Sequence, residues 1–177
     1  MHPNALHPPS ARRASAPAAQ AWAALAGLLL AAALLPDFAQ ASEAPWGHAR
    51  AVEQAYGRQK VVYDVTTGSE ATMRGVISRA MLLADLNGSD PFDSRIVILL
   101  HGNEIPFFSI RNYPKYRDLM QRAQSATQSG IIEFRMCRLA AGMHGFQPED
   151  IHGFVTLVPM ADAEIVRLQQ EGYAYMR

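Results

Sequence analysis

Ser94 to Leu100 reads SRIVILL, a strand-length run that is apolar nearly throughout instead of at every second position. Such a strand has two faces to bury, and parallel sheets covered by helices on both sides provide that burial. The chain around it alternates strand-like and helix-like segments in agreement. Lys60 to Val65 (KVVYDV) is β-rich and stops at Thr66-Thr67-Gly68. Ser69 supplies an N-cap for a helix reaching Leu86, with Met73, Ile77, Met81 and Leu82 inward and Asn87-Gly88 as its stop. His101-Gly102-Asn103 ends the Ser94 strand. Tyr113 to Ser129 reads as a second helix with Tyr116, Leu119, Met120 and Ala123 inward, stopped by Gly130.

Ile131 to Met136 is a third strand, followed by a short helix from Arg138 to His144 and a turn at Pro148-Glu149-Asp150. Phe154 to Val158 is a fourth strand. Asp162 to Glu171 is a helix with Ile165, Val166 and Leu168 inward, and Tyr173 to Met176 is a short terminal strand. Five strands interleaved with helices predict a three-layer α/β/α fold around a mostly parallel, doubly wound sheet.

The amino-terminal residues read differently. Arg12 and Arg13 precede an apolar run, Ala23 to Leu35, of signal-peptide length, and Ala39-Gln40-Ala41 offers small residues for a peptidase. The run falls short of the roughly 20 residues of a membrane span. Cleavage after Ala41 and export to a bacterial periplasm are expected, with an uncleaved anchor as the alternative. Arg12-Arg13 lacks the large apolar residue that twin-arginine export signals carry after the pair. The layout is residues 1–41 as signal peptide, 42–58 as a linker or short helix (Ala49 to Tyr56), and 59–177 as one α/β domain. Without the leader about 136 residues remain, enough for one core. The whole chain has 16 basic and 16 acidic residues, so no basic excess points to nucleic acid. No stable membrane insertion is expected once the leader is cleaved.

Sites in such sheets lie beyond the carboxyl ends of strands. Three loops there carry polar or reactive groups. Cys137, the only cysteine, closes the third strand and opens the short helix, where unpaired N–H groups favour a thiolate. One cysteine cannot form an internal disulfide, so it is buried, paired between chains or chemically used. His101 either partners the Cys137 thiolate or is a loop histidine held by backbone. Thr67 and Gly68, with Gly102 and Asn103, either line an anion nest or serve as turn residues. His144 lies within two turns of Cys137 and can share its cleft; His48 and His152 read as solvent-facing. No His, Cys and carboxylate spacing fits a zinc site, and no Gly-rich phosphate loop follows the first strand.

Four stretches resemble the DsrE/DsrF-like family of sulfur-oxidation and sulfur-relay proteins: VVYDVTTG at Val61 to Gly68, IVILLHGNEI at Ile96 to Ile105, FRMCRLAAGMHGFQPEDI at Phe134 to Ile151, and VPMADAEIVRLQQEGYAYMR at Val158 to Arg177. The resemblance implies a five-stranded parallel sheet and homotrimers or homohexamers. It also implies a persulfide on the cysteine in the position of Cys137, with His101 matching the family's histidine-glycine after the second strand. Relay members are typically cytoplasmic, whereas this chain carries an export leader. Its Ile105 to Tyr113 loop (IPFFSIRNY) is unusually aromatic and predicts an exposed apolar contact surface.

The expected function is that of a periplasmic sulfur carrier holding a persulfide on Cys137, a sulfurtransferase-like carrier more than a turnover enzyme. It would exchange sulfur with donor and acceptor proteins or small sulfur compounds and needs no cofactor. The alternatives are a non-catalytic oligomeric scaffold with a packed cysteine, and a small-molecule binding protein using the same cleft.

Overall fold

Each apolar run becomes a strand, and every strand pairing is parallel. The computed structural model describes residues 45–177 apart from 87, 89, 91 and 93. The expected signal peptide lies outside the described residues. The chain divides into two units, Met1–Ala51 and Val52–Arg177. The described part of the first holds a turn at Pro45 and Trp46. Residues 47–58 carry no regular element, so the short helix considered for Ala49 to Tyr56 does not form.

The second unit holds β1 (Gln59–Val65), α1 (Glu70–Leu86), β2 (Ser94–Leu100), α2 (Tyr113–Ala126), β3 (Ile132–Cys137), α3 (Arg138–Met143), β4 (Val155–Val158), α4 (Ala161–Gln170) and β5 (Ala174–Met176). The sheet order is β4-β3-β2-β1-β5. The chain steps outward from β1 to β4, then returns through α4 to place β5 beside β1. Right-handed crossovers running in opposite directions leave their helices on opposite faces. Met73, Ile77 and Ala80 of α1 and Leu119, Met120 and Ala123 of α2 accordingly pack on Val61, Tyr63, Ile96, Ile98, Ile132 and Phe134. Ala161 and Leu168 of α4 pack on Val62, Val97 and Leu99 from the other side. β2 therefore buries both faces, as its unbroken apolar run requires.

Local signals set the boundaries. Ser69 Oγ accepts the Thr72 N–H at 3.2 Å and caps α1. After α2, a 3-10 turn over Thr127–Ser129 ends at Gly130, whose φ of 72° suits a residue without a Cβ.

Four side-chain placements depart from the sequence reading. Leu82 is exposed, and Leu83 takes the half-buried place on α1. Val166 is exposed, and Glu164 is the inward residue of α4, because Arg135 of β3 and Arg167 bind its carboxylate. The phenyl rings of the aromatic loop do not form an exposed surface: Phe107 and Phe108 are 6% and 0% exposed, while Ile110 is the exposed apolar side chain of the loop. The segment winds into 3-10 turns, which aim Phe108 at Phe134 (5.6 Å between centroids) and Phe154 (6.2 Å), and Phe107 at Tyr116 (4.8 Å). His152 is half-buried instead of solvent-facing, stacked 5.8 Å from Phe154 and edge-on to Tyr113.

Candidate functional site

Alternation along parallel strands decides which side chains meet. Val62 and Asp64 of β1 share a face with Val97 and Leu99 of β2, and with Arg135 and Cys137 of β3. Tyr175 of β5 joins that face through its pairing with Val62. His101 is one step beyond Leu100, and Cys137 one step beyond Met136, the residue paired with Leu100. The two therefore come level on neighbouring strands at the carboxyl edge of the sheet.

Cys137 closes β3 and caps α3. Its φ of −65° and ψ of 116° are extended, and its sulfur accepts the Ala140 N–H at 3.4 Å. This satisfies one of the donors that a helix start leaves unpaired. The residue is 5% exposed and lies in the apolar cluster with Leu99, Val158 and Ala161. α3 leaves Leu139 and Met143 exposed beside it, and Met160, next to α4, is 44% exposed.

His101 Nε2 lies against Asp64 Oδ1 rather than the thiol, and the Tyr175 hydroxyl donates to Asp64 Oδ2. A hydrogen-bonded row thus crosses β5, β1 and the end of β2. Burial alone would push the Asp64 carboxyl up. Hydrogen bonds from Tyr175 and His101, with attraction to His101 and Arg177, outweigh it and hold the carboxyl below its ordinary value. The same bond pushes the Tyr175 phenol above its usual value.

The loop after β2 carries a second carboxyl. Glu104 is 0% exposed, and its Oε1 accepts the Gly102 N–H at 2.8 Å. Burial pushes its carboxyl up, against the lowering by backbone N–H groups of Gly102, Glu104 and His101. Its other oxygen has no partner among the described residues. The N–H group expected to bind a foreign anion at Gly102 is thus filled by the chain's own glutamate. Asn103 packs on the preceding loop: a Cβ added to Gly68 would lie 3.4 Å from Asn103 Cβ. Gly102 has no room for a side chain, since an added Cβ would come 2.7 Å from Thr66 Cα. Thr67 Oγ1 accepts the Ser69 N–H at 3.0 Å, which is turn chemistry.

Asp64 and Thr67 also line an open cavity of about 370 Å³ with Thr66, Thr72, Arg79 and Arg177. Cys137 and His101 are not among its walls. His144 caps the carboxyl end of α3 and is half-buried. Among the described residues no group of His, Cys, Asp and Glu gathers to hold a metal ion, and no helix is long and apolar enough to cross a membrane.

Sequence reasoning missed Asp64 and Tyr175. A legible signal existed for Asp64: it is the one charge within VVYDV, two residues from a core valine. Tyr175 becomes visible only once β5 is known to return beside β1.

No family model matches the chain, and no curated protein matches it. Among solved structures it is similar to a protein of unknown function, MTH1491 from Methanobacterium thermoautotrophicum. The TM-score is 0.52 at 22% identity, over 67% of this chain and 98% of that one. That likeness establishes a shared fold.

Proposed function

We propose that this protein is an exported sulfur carrier that holds a persulfide on Cys137, a member of the DsrE/DsrF-like family working in the periplasm as a homotrimer or homohexamer. One observation carries the reading. The only cysteine stands at a strand–helix junction with an N–H on its sulfur, level with a histidine that a carboxylate holds in place. The N–H stabilises negative charge on sulfur, and the imidazole accepts the proton.

With thiosulfate as donor, the Cys137 thiolate attacks the sulfane sulfur. A Cys–S–S bond forms, the donor's S–S bond breaks, and sulfite leaves with the electron pair. The product is a cysteine persulfide anion, and no net oxidant is consumed. An acceptor thiolate or sulfite reverses the step.

The burial of Cys137, 5% exposed in the cluster that includes Leu99 and Ala161, favours a second reading in which the thiol is packing and the protein is a scaffold. The native protein should gain one sulfur atom per chain from thiosulfate or polysulfide, and Cys137→Ser should gain none. A native Cys137 that reacts only after denaturation would hand the lead to the scaffold reading.

The assembly rests on other residues than first expected, because Phe107 and Phe108 are consumed by the core. Leu139, Met143 and Met160 are the exposed apolar side chains near Cys137, and they are the surface on which the proposed contacts between subunits would form.

A further inference from the structure

We infer that Asp64 and Tyr175 are positioning residues that hold His101 with its proton on Nε2, so that Nδ1 is the nitrogen that takes the proton of Cys137. The inference rests on the carrier reading for its use of the thiol, but not for the state of the imidazole.

Hydrogen-bond roles carry the argument. An ionised carboxylate only accepts. Asp64 Oδ2 receives the Tyr175 hydroxyl, and Asp64 Oδ1 lies against His101 Nε2. Nε2 must therefore donate, and a neutral imidazole with its proton there carries its lone pair on Nδ1. The carboxyl's depressed value agrees, since the group stays ionised.

Placement explains why two residues are needed. Asp64 is flanked by β2 on one side and β5 on the other. His101 pulls one oxygen towards β2, and Tyr175 on the edge strand anchors the other. Without the phenol the carboxylate could rotate and release the ring. The other charged groups in range are Arg177, which attracts Asp64, and the Glu104 carboxyl, on which the charge of His101 acts. From β3, Cys137 and Arg135 share the sheet face, but Arg135 is bound to Glu133 and Glu164.

In the step this allows, the Cys137 thiol proton passes to His101 Nδ1, leaving a thiolate and an imidazolium whose Nε2–H remains on Asp64. The same proton returns when the persulfide is discharged to an acceptor.

The test reads the imidazole directly. In protein labelled with ¹⁵N-histidine, with the His101 signals assigned from His101→Gln, two-bond nitrogen–proton spectra show which nitrogen is protonated. The neutral wild type should show Nε2 protonated and Nδ1 bare. Tyr175→Phe, an edge substitution that removes only a hydroxyl, and Asp64→Asn should both bring in the other tautomer. Both should also slow iodoacetamide alkylation of Cys137, Asp64→Asn by at least about tenfold, given that general-base assistance is worth ~10²–10⁴. Circular dichroism should match the wild type. A wild-type ring protonated on Nδ1, or variants that alkylate at the wild-type rate, would overturn the inference. If native Cys137 fails to alkylate at all, the carrier reading falls, and the tautomer spectra alone decide the placement of His101.

Discussion

An ionisable side chain buried with too few partners makes stability depend on pH, and two residues here do so in opposite directions. His152 stacks on Phe154 and meets Tyr113 edge-on, with Nε2 unpartnered among the described residues, and burial pushes its titration below the usual 6.5. The unfolded chain then takes up a proton that the folded one resists. The stabilisation is complete above pH 6.5 and declines as pH falls from there towards the folded value. His152→Phe should flatten the melting temperature between about pH 7.5 and about pH 5.5, measured by calorimetry. Glu104 works the other way. Its raised carboxyl favours the folded state when protonated, and this contribution is lost as pH rises from the ordinary 4.5 through the folded value. Glu104→Gln should therefore gain stability relative to the wild type on going from about pH 4.5 to about pH 7.5 in urea titrations. A constant difference between the two proteins would show that the buried carboxyl is not the cause. Neither residue stands out in the sequence, because burial of a polar side chain in a loop depends on how 3-10 turns and neighbouring loops close over it.

Elements were more legible than their faces. The parallel strands announced themselves because a strand such as SRIVILL must be apolar on both sides, and a strand's period of two leaves little freedom. In helix α4, Leu168 and Ile165 face the sheet as expected, and Val166 alone does not. Hydrophobicity alone counts Val166 as inward, whereas Glu164, one turn before Leu168, is the buried residue because Arg135 reaches it from β3. Arg135→Met should destabilise the protein by about 1–3 kcal/mol, since Arg167 still binds the half-abandoned Glu164. Urea unfolding of the variant measures it; a stability equal to the wild type would mean the ion pairs contribute nothing to seating α4. The aromatic loop was misjudged for a similar reason. Its rings look exposed in sequence because 3-10 turns have no strong periodic signature. Phe108→Ala should cost about 3–5 kcal/mol as a core truncation, while leaving the oligomeric state unchanged. If Phe108→Ala instead dissociates an otherwise stable oligomer, the ring serves an interface and its placement in the monomer core is at fault.

For the whole molecule, the return of β5 beside β1 is the decisive topological step, since it brings Tyr175 to Asp64 and Asp64 to His101 on the face that ends in Cys137. The order of strands cannot be read from a linear alternation of strands and helices, so Cys137 and His101 were found from sequence while their neighbours on β1 and β5 were not. Burial adds a constraint on partners. A cysteine 5% exposed within an apolar cluster admits small sulfane donors more readily than bulky reagents. The proposed trimer or hexamer should appear by light scattering of the domain from Ser42, and Met143→Glu on exposed α3 should dissociate it without loss of fold. A wild type that stays monomeric removes that part of the account. The central claim, a persulfide on Cys137, is tested most directly by native intact-mass spectrometry of the folded protein after incubation with thiosulfate or polysulfide. The account predicts a single added sulfur atom per chain that dithiothreitol removes, that iodoacetamide pretreatment blocks and that Cys137→Ser never acquires. An unchanged mass in the folded wild type, with sulfur added only after denaturation, would contradict it.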